Sequence, residues 1–152
     1  MPVSDETLIP GVVTRGYGVA SGLAGDPRFP EGTLALQFPL FRERGLSLDE
    51  CYPGTVNVDI SPLRFAIQRA DFRFERLRWS AHVSAETFSF CRCRLLHQGN
   101  DYPAWIYYPH PETKPEHFHS ASILEVVAPF IAGLDYGDAV TVHVAEERVR
   151  AW

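Results

Sequence analysis

Short alternating segments separated by proline and glycine limit the fold of this chain more than any other feature. Residues 139–145 show the pattern most clearly, because three valines alternate there with Thr141 and His143, as in a strand with one buried face. Similar strand patterns recur at 55–60, 71–79, 86–96, 103–108 and 122–128. Together with 12 prolines, 11 glycines and little helical periodicity, they predict a mostly antiparallel β-barrel or sandwich.

Local signals predict further elements between these strands. Residues 11–21 have the composition of a strand with glycine interruptions, followed by a loop over 22–27. Pro39 is expected to open a short helix over 40–44 that Gly45 ends. The hydrophobic phase slips near Glu75 and Arg76, which indicates a β-bulge there, and Gly137-Asp138 predicts a turn.

Length, charge and cysteine content narrow the class of protein. A chain of 152 residues suits a single domain over 1–152, with 1–10 expected to be a flexible N-terminus. A net charge of −5 argues against a surface for nucleic acid. No segment approaches the roughly 20 apolar residues of a membrane span, and the acidic start does not resemble a signal peptide. Three cysteines do not suggest a disulfide framework, so we expect a cytoplasmic protein without a membrane partner.

Residues 53–58, Pro-Gly-Thr-Val-Asn-Val, join a turn to an alternating strand. Thr55 and Asn57 are two residues apart, so they lie on the same face of that strand. A hydroxyl and an amide oxygen suit a hard cation such as Mg²⁺ that also holds the phosphates of a substrate. The alternative is a plain Pro-Gly turn that leads into a half-buried strand.

Four motifs in order resemble the archaeal CTP-dependent riboflavin kinase family, whose members carry V-x-S-G-L-G-x-G, P-G-T-L-N-V, I-L-E-I-I-A-P and D-G-D-x-V. The resemblance covers roughly residues 15–60 and 119–145. It implies a small six-stranded cradle-loop β-barrel with one or two short helices, which transfers the γ-phosphate of CTP to the 5′-hydroxyl of riboflavin. The corresponding segments here are Ser21-Gly22-Leu23-Ala24-Gly25, Pro53–Val58, Ile123–Pro129 and Gly137-Asp138.

The resemblance also implies roles for particular residues. Thr55 and Asn57 match the magnesium ligands, and Glu125 matches an acidic residue that contacts the flavin and is our candidate catalytic residue. The family has a second flavin contact, usually threonine, eight residues before that glutamate, and the position here is His117, or Thr113 if the loop is longer. The nucleotide-binding residues are expected to be Gly22, Leu23, Ala24, Gly25, Phe130 and Ile131. Small loop residues allow backbone N–H groups to approach phosphate oxygens.

Glu125 is unusual for its surroundings, because it stands among Ile123, Leu124, Val126 and Val127. A carboxylate in such a strand faces a polar cavity, has a partner, or lies on the surface of an edge strand. In the first case it can accept a hydrogen bond from a substrate hydroxyl. The expected partners are riboflavin or a similar small molecule and a nucleotide, with Mg²⁺ as cofactor.

Three other interpretations remain open at the sequence level. The same barrel can bind a nucleotide or flavin without transferring phosphate. His117 and His119, with Glu125 and His143, form a possible cupin-like metal set. Cys91 and Cys93 supply either two zinc ligands or small core residues. The aromatic residues of the strands are expected in the core, where some stack on a flat ring: Trp79, Phe88, Phe90, Trp105, Tyr107 and Tyr108.

Overall fold

A computed structural model describes residues 5–15, 33–80, 85–110 and 121–152. The described residues contain one helix and nine strands. In chain order they are β1 (Glu6–Thr14), α1 (Thr33–Glu43), β2 (Val56–Asp59), β3 (Phe65–Ile67), β4 (Phe72–Leu77), β5 (Glu86–His97), β6 (Asn100–Pro109), β7 (Ile123–Val127), β8 (Ala139–Ala145) and β9 (Val149–Ala151). The expectation of a mostly β fold is confirmed.

Six strands pair in a closed antiparallel ring in the order β5-β6-β7-β2-β1-β8, with β8 returning to β5. Strand β5 closes the ring because its 12 residues are long enough to pair with both β4 and β8 along the same edge. Its first half pairs with β4, and its residues Arg94–Leu96 pair with Thr141–His143 of β8. Strands β3 and β9 form a separate two-stranded sheet. The finer assignment to a cradle-loop barrel stays a prediction.

The inner cluster of buried side chains fills the ring. Every ring strand contributes alternate apolar residues to it, so these side chains face one another across the enclosed space. Gly11 of β1 also faces inward, and a Cβ atom there would stand 2.4 Å from Cγ1 of Val58 and 2.9 Å from the carbonyl oxygen of Asp59. The glycine therefore allows β1 to cross close to β2.

The outer cluster lies between α1 and the outside of β4, β5, β6 and β7. Phe41 of α1 is fully buried there, with its ring centroid 5.3 Å from Phe74 and 5.0 Å from Phe90. The helix ends in a Schellman motif, because the N–H of Leu46 bonds to the carbonyl of Phe41 and Gly45 adopts φ +99°. The predicted role of Gly45 is therefore confirmed.

Two boundary predictions were wrong. Pro39 lies inside α1 rather than at its start. Burial of Leu34 and Phe41 on either side of it outweighs a cost of about 3 kcal/mol for an interior proline. Strand β1 begins at Glu6, five residues before the predicted start at Gly11, and residues 16–21 of that prediction lie outside the described residues. Residues 6–10, expected to belong to a flexible N-terminus, pair with β8.

Other local predictions held, and two elements were missed. The register of β4 shifts between Phe74 and Leu77, and Arg76 adopts φ +48°, which confirms the bulge. The turn before β8 contains Gly137 at φ +90°. Strands β3 and β9 are only three residues long, too short for a periodic signal. In the segments that the structure describes, no helix is both long enough and apolar enough to cross a bilayer.

Candidate functional site

Four residues on adjacent strands form a cross-strand row on the outer face of the ring. Thr14 of β1 pairs with Asn57 of β2, Asn57 pairs with Glu125 of β7, and Glu125 pairs with Tyr107 of β6. Directly paired residues project from the same face of a sheet. The register therefore brings together Asn57 and Glu125, which are 68 positions apart in the chain.

The start of β2 presents two oxygen atoms beside this row. Val56 and Val58 pack on the inner cluster, so the alternation directs Thr55 and Asn57 outward. Oγ1 of Thr55 donates a hydrogen bond to Oδ1 of Asn57 at 3.4 Å, and both residues are half-buried. Neighbouring ligands of an octahedral Mg²⁺, each at about 2.1 Å, lie about 3.0 Å apart, so the two oxygen atoms stand within about half an ångström of the separation that a shared cation requires.

Glu125 is only 5% exposed. Its strand lies between β2 and β6, so the interpretation of a surface glutamate on an edge strand was wrong. Leu124 and Val126 turn into the ring, and Glu125 therefore faces the side on which α1 packs. A buried carboxylate needs hydrogen-bond donors around it, and a neighbouring group or a substrate hydroxyl can supply them.

Tyr107 connects this row to the helix. Its phenolic hydroxyl donates a hydrogen bond to Oε1 of Gln37 at 2.9 Å, and both side chains are buried. Burial raises the pKa of Tyr107 well above its ordinary value, and the nearby carboxylates of Glu125 and Glu86 raise that pKa further. Tyr107 is therefore a neutral donor at physiological pH.

Gln37 was not predicted from the sequence, and Tyr107 was expected as a core aromatic or as a ring that stacks on a ligand. A signal for Gln37 was present, because it lies between Leu34 and Phe41 at helical spacing on the buried face of α1. A buried glutamine needs a polar partner. The identity of that partner depends on how the helix docks on the sheet.

The segment after β7 runs past the start of β2. The N–H of Tyr52 bonds to the carbonyl of Ala128 at 2.9 Å, which ties the two segments together. Ile131 is buried in the inner cluster, whereas Phe130 is 75% exposed beside Tyr52. Nucleotide binding by Phe130 and Ile131 stays a prediction, and the buried position of Ile131 leaves mainly its backbone available to a ligand.

Five residues proposed from the resemblance lie outside the described residues: Gly22, Leu23, Ala24, Gly25 and His117. One of the described ends that flank residues 16–32 adjoins the cross-strand row. Arg15 directly follows Thr14, and α1 begins at Thr33, four residues before Gln37.

The proposed cupin-like set is not assembled. Glu125 on β7 and His143 on β8 both project outward, and two strands separate β7 from β8 around either side of the ring. His143 instead lies 3.5 Å from Glu6. Across the described segments, no group of three or more His, Cys, Asp or Glu side chains is placed to hold a metal ion. His119 lies outside those segments.

The zinc interpretation of Cys91 and Cys93 was also wrong. Both are buried in the inner cluster as free thiols. Burial is the main cause that raises the pKa of Cys91 to about 12. Burial raises the pKa of Cys93 by more than that of Cys91. Such thiols remain protonated and act as small core residues.

A surface cleft of 740 Å³ lies on the outer face between the loop after α1 and strands β5, β6 and β8, and its lining reaches Cys51 and Pro129, which directly adjoin Tyr52 and Phe130. The guanidinium of Arg92 covers the ring of Trp105 at 4.6 Å in this cleft. Arg148 and Arg94 also line it, but Asp71 and Asp101 neutralise them. Three carboxylates, Glu6, Asp49 and Glu50, also line the cleft and balance its three arginines, so it has no marked preference for an anion.

Comparison of the chain with models of protein families and with curated proteins gives no match. Its function is therefore inferred from the geometry of the cross-strand row and from the resemblance of its motifs.

Proposed function

We propose that this chain is a small-molecule kinase similar to the CTP-dependent riboflavin kinases. It would transfer the γ-phosphate of a nucleoside triphosphate to the 5′-hydroxyl of riboflavin in the presence of Mg²⁺. The observation that carries the proposal is the pairing of Asn57 with Glu125. This pairing sets a buried carboxylate beside two neutral oxygen ligands, and Thr55 provides the second of these ligands.

The donor set at the start of β2 fits a magnesium ion. Thr55 and Asn57 would hold it through a hydroxyl and an amide oxygen. When bound, Mg²⁺ supplies positive charge to the phosphate oxygens during transfer. The two side chains themselves fix where the triphosphate lies relative to Glu125.

Phosphoryl transfer depends mainly on how the protein positions the phosphate donor and the attacking hydroxyl. The 5′-oxygen of riboflavin forms a bond to the γ-phosphorus, and the bond from that phosphorus to the β,γ-bridging oxygen breaks. A nucleoside diphosphate leaves with the electron pair of the broken bond. Glu125 accepts the hydrogen bond of the attacking hydroxyl and takes its proton as transfer proceeds. Tyr107, already a donor to Gln37, holds α1 over this face.

The direct test is formation of FMN. Purified protein is incubated with Mg²⁺, riboflavin and each of the four ribonucleoside triphosphates, and the products are separated by liquid chromatography with mass detection. We expect FMN in the wild type and none in Thr55→Ala or Asn57→Ala. Thr141→Ala is the matched control, because Thr141 is a half-buried strand threonine on β8. Absence of FMN with all four donors would overturn the proposal.

One observation favours a second candidate, a barrel that binds a nucleotide or flavin without phosphate transfer. Residues 128–138 pass beside the start of β2 and contain no lysine or arginine, while Asp135 and Asp138 are acidic. Phosphoryl-transfer sites ordinarily supply cations to the phosphates. A ligand-dependent rise in melting temperature without product would favour this candidate, since a ligand that binds only the native state stabilises it.

A further inference from the structure

The surface cleft beside the loop after α1 opens where strand β5 passes from one neighbour to another. Strand β5 pairs with β4 as far as Phe90 and with β8 from Arg94 onward. Arg92 and Cys93 lie between these two ladders, and both line the cleft. The cleft volume of 740 Å³ falls within the range of about 300–1,000 Å³ that is typical of small-ligand sites.

Arg92 is held in place through both its backbone and its side chain. Its backbone N–H donates a hydrogen bond of 2.8 Å to Oδ2 of Asp71, and that carboxylate also accepts one from Nε of Arg148. Its guanidinium covers the ring of Trp105 at 4.6 Å, and that ring in turn packs edge-on against Phe72. A guanidinium that is positioned in advance loses little conformational entropy when a ligand binds it.

The charged side chains of the cleft divide into paired and unpaired groups. Of the three arginines and three carboxylates in the lining, four lie 3.5 Å or less from a side chain of opposite charge or from histidine: Arg94 with Asp101, Arg148 with Asp71, Asp49 with Arg42, and Glu6 with His143. The other two, Arg92 and Glu50, have no ion pair among the described residues. Their charges are opposite, so the cleft favours a ligand that carries both a carboxylate and an ammonium group.

We propose that this cleft binds a short peptide with free termini and apolar side chains. The terminal carboxylate of the peptide meets the guanidinium of Arg92, which is exposed and can pair with it in a bidentate manner. The terminal ammonium group lies toward the carboxylate of Glu50. Apolar residues of the lining, among them Leu48 and Pro103, provide surface for the peptide side chains.

This peptide site is distinct from the proposed magnesium ligands. Arg92 lies on β5 and Asn57 on β2, with β6 and β7 between them in the ring. Neighbouring strands are about 4.8 Å apart, so about 14 Å of sheet separates the two residues. A triphosphate would bring several negative charges to a cleft with three carboxylates, whereas a peptide with two free termini has no net charge. Peptide binding there does not require kinase activity.

Binding of defined peptides tests this site. Calorimetry measures the dissociation constants of dileucine, trileucine and triphenylalanine with free termini, of their N-acetylated forms and of their C-terminal amides. The proteins are the wild type, Arg92→Ala, Arg92→Lys, Glu50→Gln and two controls. Arg150→Ala is the control for Arg92, because Arg150 also covers a tryptophan ring, that of Trp152 at 5.8 Å, but does not line the cleft. Glu43→Gln is the control for Glu50, because Glu43 is likewise exposed and lies outside the lining.

We expect the wild type to bind the unmodified peptides and Arg92→Ala to weaken that binding by about tenfold or more. Arg92→Lys should recover only part of the affinity, because an ammonium group cannot form the bidentate pair. Amidation of the C-terminus should weaken binding to the wild type as much as Arg92→Ala does, and should have no further effect in that variant. Glu50→Gln and N-acetylation should each weaken binding by about threefold. Both controls should resemble the wild type, and melting temperatures confirm that all variants are folded.

Three results would overturn the peptide site. The first is that none of the unmodified peptides binds, and the second is that Arg92→Ala or amidation leaves the affinity unchanged. The third is displacement of the peptide by CTP with Mg²⁺, which would assign the cleft to the nucleotide instead. Absence of FMN formation would contradict the kinase alone, because peptide affinity and its dependence on Arg92 are measured without phosphate transfer.

Discussion

Tyr107 on β6 donates its phenolic hydrogen to Oε1 of Gln37 on α1 at 2.9 Å, and both side chains are more than 95% buried. This bond joins the only helix of the described segments to the strand that pairs with β7, and so to Glu125. It is a polar contact within a largely aromatic interface, which gives the docking of α1 a defined position.

Replacement of Tyr107 by phenylalanine should destabilise the protein by about 1–3 kcal/mol, because Oε1 of Gln37 then loses its donor in a buried place. The free energy of unfolding in urea measures this loss. The double variant Tyr107→Phe/Gln37→Leu should recover part of it, since replacing both partners by apolar groups removes the unpaired acceptor. Equal stabilities of Tyr107→Phe and the wild type would contradict a role for the bond.

Glu125→Gln should lower kcat for FMN formation by about 10²- to 10⁴-fold, because glutamine keeps the shape but cannot take the proton of the hydroxyl. Glu86→Gln is the matched control. Glu86 is equally buried and also affects Tyr107, but it lies on β5, away from Asn57. Steady-state kinetics separate the two variants, and equal losses would indicate a general effect of removing a buried charge.

Arg15→Ala should weaken binding of the nucleotide with Mg²⁺ by roughly tenfold and leave riboflavin binding unchanged. Arg15 is exposed and directly follows Thr14, the partner of Asn57, and the adjoining segments 51–59 and 128–138 contain no basic residue. Its guanidinium can therefore supply the cation that those segments lack.

Arg78→Ala provides the control for Arg15, because Arg78 is likewise exposed and directly follows the last residue of a strand, Leu77. Fluorescence titrations with riboflavin and calorimetry with the nucleotide report the two affinities. A larger effect of Arg78→Ala than of Arg15→Ala would count against the assignment.

The pairing of Asp138 with His97 predicts a dependence of stability on pH. The hydrogen bond from His97 at 2.9 Å, followed by one from the backbone of Asp135, lowers the pKa of Asp138. A carboxyl with a lowered folded-state pKa stabilises the protein above its unfolded pKa, about 3.9, and loses that contribution as the pH falls through the folded value. Melting temperatures of the wild type and Asp138→Asn should thus differ most near neutral pH and converge below about pH 4. A difference independent of pH would contradict this.

The local parts of the fold were predictable because they depend on neighbours in the chain. The alternation around Val140 and Val142 marks β8, Gly45 marks the end of α1, and the phase slip at Glu75 marks the bulge. The position of Pro39 inside α1 and the start of β1 were not predictable in this way. In each, contacts made elsewhere outweighed the local preference.

The same distinction between local signals and tertiary contacts applies to the candidate site. The sequence by itself determined that Thr55 and Asn57 share a face, because the period of a strand is two residues. It also showed that Glu125 is a carboxylate in an apolar strand. Only the tertiary structure decided that Glu125 stands beside Asn57, that Tyr107 meets Gln37, and that His143 lies on another part of the ring. Those relations depend on strand order, register and helix docking. Burial of the inner and outer clusters together sets all three, so no short stretch of sequence encodes them.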